Sequence, residues 1–459
     1  MGFHSTGLAL VDINGDGWKD VVVANGNDVA MQPVTVYYND KKGGFSAAPN
    51  WMSSDLDYNN GLTAGDINGD GTIDIAVSVG VGPTGELGEG RVKVYFNTGS
   101  ELAKTPSYES ADRYSAFGCA LGDADGDGDL DLAVPVLAEV GRFNGAVRIY
   151  TNVDGSLETL PSWKSTDMAM SGGAVFADIN QDGFLDLAVA ASNAKIYSGG
   201  VSTAGMIRIA KQPSWTSANG SYSAFFVDVG RVGTSTSTSA PSVVVSYNDV
   251  CYLLSTQCKT SFFDLYKPPG TTYTWRPQKG GLGSGIVLAD VNKDGILDLI
   301  TGRWGVEATT GSPLTIYLGK NSSFEVEPSY ISDPENASVI ETIAVADLGR
   351  MQIVDASESF SITWPRAVVT LSRQVIEEVK EVRKNGALLA KGAYTSVPGR
   401  AWISFAERLN AGDVVQVTYT YSNSLDIVAA NFNCDIGNYI FYASRSTARR
   451  AAPTPRRLH

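Results

Sequence analysis

The chain has 459 residues, with 49 acidic against 35 basic side chains and a formal charge of −14. That length exceeds one ordinary domain. The absence of a basic stripe before the final eleven residues argues against nucleic-acid binding, and no apolar run approaches the length of a membrane span.

The first predicted element is a strand, Gly7-Leu-Ala-Leu-Val, that runs into a nine-residue loop holding Asp12, Asn14, Asp16, Trp18 and Asp20 and then into Val21-Val-Val. The same loop returns at Asp66, Asn68, Asp70, Thr72, Asp74; at Asp123, Asp125, Asp127, Asp129, Asp131; at Asp178, Asn180, Asp182, Phe184, Asp186; and at Asp290, Asn292, Asp294, Ile296, Asp298. Carboxylates and amides at positions one, three, five and nine, with a backbone carbonyl expected at seven, give a hard cation the crowded oxygen shell that calcium takes. Glycines at positions four and six supply the positive φ angles of so tight a wrap. An EF-hand would need a bidentate Glu at position twelve and a following helix. Here position twelve is Val23, Val77, Val134, Val189 or Thr301, inside an apolar run that reads as a buried strand. These loops are therefore expected to hold about five structural Ca²⁺ ions, each between two strands.

The loop is one part of a longer repeat. Its first Asp recurs at 12, 66, 123, 178, 228, 290 and 347. Asp228-Val-Gly-Arg and Asp347-Leu-Gly-Arg keep only the entry, so no calcium is expected there. An aromatic marker, Trp51, Tyr108, Trp163, Trp215, Trp275 or Tyr330, lies 13 to 17 residues before each following loop. With a third strand such as Val92-Lys-Val-Tyr or Val147-Arg-Ile-Tyr, each repeat is four short strands. The expected fold is all-β, a seven-bladed β-propeller with the Gly- and Ala-rich strand innermost and aromatic residues between blades.

These residues resemble the FG-GAP or VCBS repeats, including the integrin α-subunit propeller, whose loops Asp-x-Asp/Asn-x-Asp-Gly-x-x-Asp lie between the first two strands of a blade. The resemblance covers roughly residues 1–347 and 423–443 and speaks for fold and metal rather than for one activity.

After Asp347 the repeat breaks, resuming at Leu425-Asp-Ile-Val-Ala-Ala. The organisation expected is a propeller over 1–347, an insertion over 348–422, the remainder of blade seven over 423–443 and a basic tail over 444–459. In the insertion, Val368-Val-Thr-Leu, Val379-Lys-Glu-Val, Trp402-Ile-Ser-Phe and Val414-Val-Gln-Val-Thr-Tyr-Thr-Tyr alternate as strands, with turns at Asn385-Gly386 and Ala411-Gly-Asp. They predict a small immunoglobulin-like β-sandwich projecting from the calcium-loop face. Blade seven is then one strand short. The tail, disordered by composition, could supply the strand, a neighbouring molecule could donate it, or the edge could stay exposed.

The two histidines, His4 and His459, stand near the chain ends, so no interior imidazole serves a Ser-His-Asp or Cys-His site, and no catalytic residue is expected. A less favoured reading is a polysaccharide-active enzyme. The sixteen ligand carboxylates make apo protein self-repelling, and five Ca²⁺ would leave a charge of about −4. Loops of this kind suit millimolar calcium, which places the chain extracellularly or at a cell surface although no signal peptide opens it. Cys251 and Cys258 flank a turn as a disulfide or as two reduced thiols; Cys119 and Cys434 read as unpaired core residues. Asn219, Asn321 and Asn336 head glycosylation sequons.

For binding, the face opposite the loops presents Arg142, Phe143, Arg303 and Trp304, together with Tyr58, Tyr114 and Tyr222 at one point in three blades, as a cup for protein or glycan or as packing between blades. The functional expectations are a recognition or adhesion module for an extracellular protein or carbohydrate, or alternatively a structural subunit of a filament or surface layer built from copies of itself.

Overall fold

The structure is a computed structural model describing residues 3–80, 90–99, 101–201, 206–218, 223–233, 240–248, 263–278, 283–303, 312–332, 339–431, 437–442 and 454–458. Among them the chain is all β, with no helix long and apolar enough to cross a membrane. Tyr222, Trp304, Cys251, Cys258, Cys434, Asn219 and Asn336 lie outside the described residues.

Seven antiparallel sheets follow one another, each built as a simple meander. The first comprises Ser5–Val11, Asp20–Asn25, Thr35–Tyr37 and Trp51–Met52, and the second Asn59–Gly65, Asp74–Val79, Val92–Tyr95 and Tyr108–Glu109. Sheets three, four and six repeat that order, while the fifth shows three strands and an isolated bridge between Leu265 and Trp275. The strand after each loop sits mid-sheet with a sheet on either side. Asp20–Asn25, Asp74–Val79 and Asp186–Ala191 are accordingly buried at every position, which is why their apolar residues run continuously instead of alternating.

The first strands touch in cyclic order, and the first strand of sheet one meets that of sheet seven, Ile340–Ala346. This arrangement fits a β-propeller. Backbones approach so closely at the axis that a Cβ on Gly7 would stand 2.5 Å from the Asn60 carbonyl oxygen, and one on Gly61 2.6 Å from that of Phe117. Glycine is required there for lack of space.

Between sheets, the aromatic marker packs edge-on against the third-strand tyrosine of the next sheet: Trp51 on Tyr95 at 6.1 Å, Trp163 on Tyr197 at 5.8 Å, Trp215 on Tyr266 at 5.5 Å and Trp275 on Tyr317 at 5.3 Å. Three consecutive joints, starting with that of Trp51 and Tyr95, also contain an ion pair that the sequence reading did not anticipate. Fully buried Lys93 bonds Asp55 at 2.6 Å, and Tyr95 donates its hydroxyl to the same carboxylate. Arg148 with Asp112 and Tyr150, and Lys195 with Asp167 and Tyr197, repeat the arrangement in the next two joints. The signal was present as an Asp four residues after the aromatic marker and a base two residues before the tyrosine.

Between the first and second strands of sheet seven lie two further sheets. One orders Ile353–Ser361, Val414–Ser422, Ile376–Lys384 and Ala387–Leu388; the other orders Arg366–Thr370, Trp402–Leu409 and Tyr394–Thr395. They share a core of Ile376, Ile403, Phe405, Val415, Val417 and Tyr419. Asn385 and Gly386 both have positive φ, as a two-residue hairpin turn requires. The module packs on the loop face, the side from which the sequence reading expected it to project. Ala367, Val368, Val397 and Trp402 join one buried cluster with Leu130, Phe176, Phe184 and Leu185, because an apolar edge of the module gains more from burial than from water.

The fourth strand of sheet seven is Thr454–Leu458, pairing with Asn438–Tyr442 in a register that sets Tyr439 opposite Arg457. The tail therefore supplies the strand that was missing. Composition read as disorder, but an open sheet edge gives even a polar segment a row of backbone partners.

Candidate metal centre

Each of the five full loops is tied by the same three hydrogen bonds. The Asp at position nine accepts from the backbone N–H just after position one, as in Ile13 to Asp20 at 3.2 Å, Ile67 to Asp74 at 2.9 Å and Ala124 to Asp131 at 2.7 Å. Its other oxygen accepts from the end of the third strand. Asn39, Asn97, Asn152, Gly199 and Gly319 each stand 2.8 Å from Asp20, Asp74, Asp131, Asp186 and Asp298 respectively. The N–H at position seven donates to the carboxylate at position five, as in Trp18 to Asp16, Thr72 to Asp70, Asp129 to Asp127, Phe184 to Asp182 and Ile296 to Asp294, all between 2.8 and 3.0 Å. The five loops thus share one hydrogen-bonded conformation. Position four is left-handed in every one, at φ 62 to 76°, including Gln181 and Lys293 where the sequence reading had counted on glycine.

The donor set fits calcium. Buried oxygens of Asp66, Asp125 and Asp178 have no protein partner, which is costly unless a cation completes them. In the third loop, oxygens of Asp123, Asp125 and Asp131 lie within 4.8 Å of one another. Burial pushes the carboxyls of Asp20, Asp123, Asp186 and Asp298 up to about 7, and those of Asp74, Asp125 and Asp178 up to about 6. Asp131, enclosed beside Asp125 and Asp123, is raised well above the ordinary value for the same reason. Desolvated carboxylates held together favour protons or a divalent ion.

Of the described residues proposed for a binding cup, Tyr114 does not reach the surface. Tyr114 is fully buried, its hydroxyl hydrogen-bonded to that of Tyr150 at 2.9 Å with Arg148 over its ring. It packs between sheets, because a large ring at a blade joint is better buried than exposed. Tyr58 is half-buried, and Arg303 bonds the Tyr317 hydroxyl beside the Phe263 ring. Arg142 and Phe143 are exposed, Phe143 by 64%, and Arg142 pairs with Glu139. Asn321 is exposed in a tight turn between Gly319–Lys320 and Ser323–Phe324, accessible to a glycan. Cys119 is a free thiol pushed by burial up to about 12.

A ring of meander sheets, five of them with an acidic loop between their first two strands, defines an all-β repeat protein. The FG-GAP-like repeat model matches residues 12–77 and 81–134, and the FG-GAP repeat model matches 172–209. The chain therefore carries FG-GAP-like repeats over these residues. It is 34% identical to integrin alpha-4 of Xenopus laevis over 146 residues, covering 28% of this chain and 14% of the relative. Integrin alpha-V of Gallus gallus is 28% identical over 203 residues, or 40% of this chain and 19% of the relative. The chain thus spans under a fifth of the length of either. A crystal structure of BBS1N in complex with ARL6DN, soaked with mercury, covers 94% of each chain at 10% identity with a TM-score of 0.44, too distant to carry an argument.

Proposed function

We propose that this chain is a calcium-stabilised extracellular recognition or adhesion module, a seven-bladed propeller with an immunoglobulin-like sandwich inserted at 348–422. Residues 1–347 and 423–443 form the blades, and the 444–459 tail contributes the last strand. About five Ca²⁺ ions bind Asp12, Asp66, Asp123, Asp178, Asp290 and their partners in structural rather than catalytic roles. When bound, the ion supplies the positive charge that neutralises each carboxylate cluster. The chain's own part is to hold those oxygens in place, through the backbone bonds to positions five and nine. The observation that carries this reading is the recurrence, in loops of one conformation, of buried carboxylate oxygens without protein partners. Elemental analysis after dialysis in Ca²⁺ should return about five ions per chain, and a value near zero would overturn the reading.

Recognition of an extracellular protein or glycan is supported by the FG-GAP repeats shared with integrin α chains. The inserted module covers part of the loop face, leaving the opposite face, with exposed Phe143 and Arg142, for a partner. Binding on a glycan or extracellular-protein array should fall for Phe143→Ala with Arg142→Ala, and unchanged binding would move the contact elsewhere. A second reading, a subunit assembling from copies of itself, draws on the strand Thr454–Leu458, which a neighbour could exchange. Light scattering in Ca²⁺ that gave a monomer at all concentrations would remove it.

A further inference from the structure

The module meets the loop face at several points, among them Glu377 with Lys19 of the first loop and Arg400 with Asp228, and it buries its apolar side chains against the third and fourth loops. Ser404 donates its hydroxyl to Asp123 Oδ2 at 2.7 Å, from the middle of the strand Trp402–Leu409. Two residues earlier, the Trp402 indole donates to the Phe176 carbonyl oxygen at 3.1 Å. The backbone N–H groups of Ala367 and Val368 both donate to the Gly183 carbonyl oxygen, at 2.8 and 2.9 Å, in the fourth loop. The Ala406 side chain lies against Gly128, so the strand rests on the third loop along its length.

The loop so covered is also the most acidic. Position three is Asn14, Asn68, Asn180 or Asn292 elsewhere, but Asp125 here, so four carboxylates occupy the third site. Asp123, Asp125 and Asp131 are all buried, Asp125 Oδ2 has no protein partner, and Asp123 is closed over by the module. Arg208 stands beside this group, its guanidinium bonded to the Gly126 carbonyl oxygen at 3.2 Å, a single charge against four. Placing an apolar module over uncompensated carboxylates is unfavourable, and placing it over a metal-filled cluster is not. Conversely, Ser404 fixes the first-position carboxylate in the orientation that a cation needs, as an outer hydrogen-bond partner does for a metal ligand.

We propose that the third loop and the inserted module form one composite calcium site, so that Ca²⁺ bound by Asp123, Asp125, Asp127 and Asp131 and docking of the module promote each other. Ser404 is the positioning residue that links them. This rests on the calcium reading above. Such linkage is reciprocal: whatever factor the metal adds to docking, docking adds to metal affinity.

Hydrogen exchange on the full chain tests it without any substitution. In EDTA the Ala367 and Val368 amides should exchange about tenfold faster or more than in Ca²⁺, while Val417 and its neighbours within the module's own sheets keep their protection. Calorimetric titration with Ca²⁺ should show Ser404→Ala weakening one site about tenfold, the loss of a hydrogen bond to a charged group, with the remaining sites unchanged and Ser404→Thr restoring it. Equal exchange of Ala367 and Val368 in both conditions, in protein that binds about five ions, would overturn the coupling and leave the calcium reading intact. So would an unaltered titration of Ser404→Ala, or loss of Val417 protection at the same rate as Ala367. Failure to bind any Ca²⁺ would remove both.

Discussion

The five full loops and the two degenerate ones begin with the same residue and differ in what satisfies it. In the second and fourth loops, Asp66 and Asp178 each keep a buried oxygen with no protein partner. In the fifth, Asp228 accepts from the Arg400 guanidinium at 2.8 Å and from the Leu288 N–H at 2.9 Å. In the seventh, Asp347 accepts from Met351 at 2.9 Å and Gln352 at 2.6 Å. Of the two decayed loops, the fifth has its carboxylate taken over by an arginine from the insertion, while the seventh keeps the pair of backbone donors that Asp16 and Gly17 give Asp12 and that Asp294 and Gly295 give Asp290. A buried carboxylate at the entry to a blade must be matched by something, and the chain matches it with metal or with itself.

The largest expected effect comes from removing what the first kind relies on. Calcium at a hundredfold excess over Kd adds about 2.7 kcal/mol per site, so EDTA should lower the calorimetric melting temperature by roughly 10 °C or more. An unchanged melting curve would erase the distinction between the two kinds of loop.

Acid should recover part of that loss. The folded carboxyls at about 6 to 7 bind protons more tightly than the unfolded chain does, so between about pH 4 and 7 the native state holds more protons. Stability of the EDTA-treated protein therefore falls as pH rises through this window and increases on acidification from pH 8 toward 5.5. In Ca²⁺ the ligands must be deprotonated, and the trend reverses. Parallel melting curves with and without Ca²⁺ across that range check the sign.

A carboxylate matched by the protein should behave differently. Asp55 has its counter-charge in buried Lys93, so Lys93→Ala should cost about 3–5 kcal/mol whether or not Ca²⁺ is present. A penalty seen only in Ca²⁺ would mean that the joint is coupled to the loops. The smallest and sharpest contrast is between Asp70→Ala and Asp347→Ala. The first should lose about 2.7 kcal/mol in Ca²⁺ and little in EDTA. The second, which strands two backbone donors, should lose about 1–3 kcal/mol in both. Denaturant titration under the two conditions separates them.

The repeat was readable because its chemistry is local: a metal loop needs oxygens at fixed spacing, and a strand buried on both faces needs a continuous apolar run. The insertion's strands at Arg366–Thr370, Ile376–Lys384, Trp402–Leu409 and Val414–Ser422 were readable by alternation. Its first strand, Ile353–Ser361, was missed, since Asp355, Ser357 and Ser359 hide the period among short polar residues. The contacts of Ser404 with Asp123 and of Arg400 with Asp228 were beyond reach, because they join residues 281 and 172 positions apart and depend on how one sheet lies on another. For Tyr114 the sequence offered a surface cup or packing between blades, and what decides for packing is that Arg148 and Tyr150 meet it from the neighbouring strand.

The inserted module leaves and re-enters its host through one narrow doorway. Ala346 faces Asp426 in the sheet of the ring, and a few residues further out Ile353 faces Ser422 in the first sheet of the module. Its two ends are thus neighbours, and the host ladder continues across the gap as though nothing had been spliced in. A unit attached this way can be lengthened, exchanged or excised without disturbing the register of the blade that carries it, so the same ring can be refitted with a different cover.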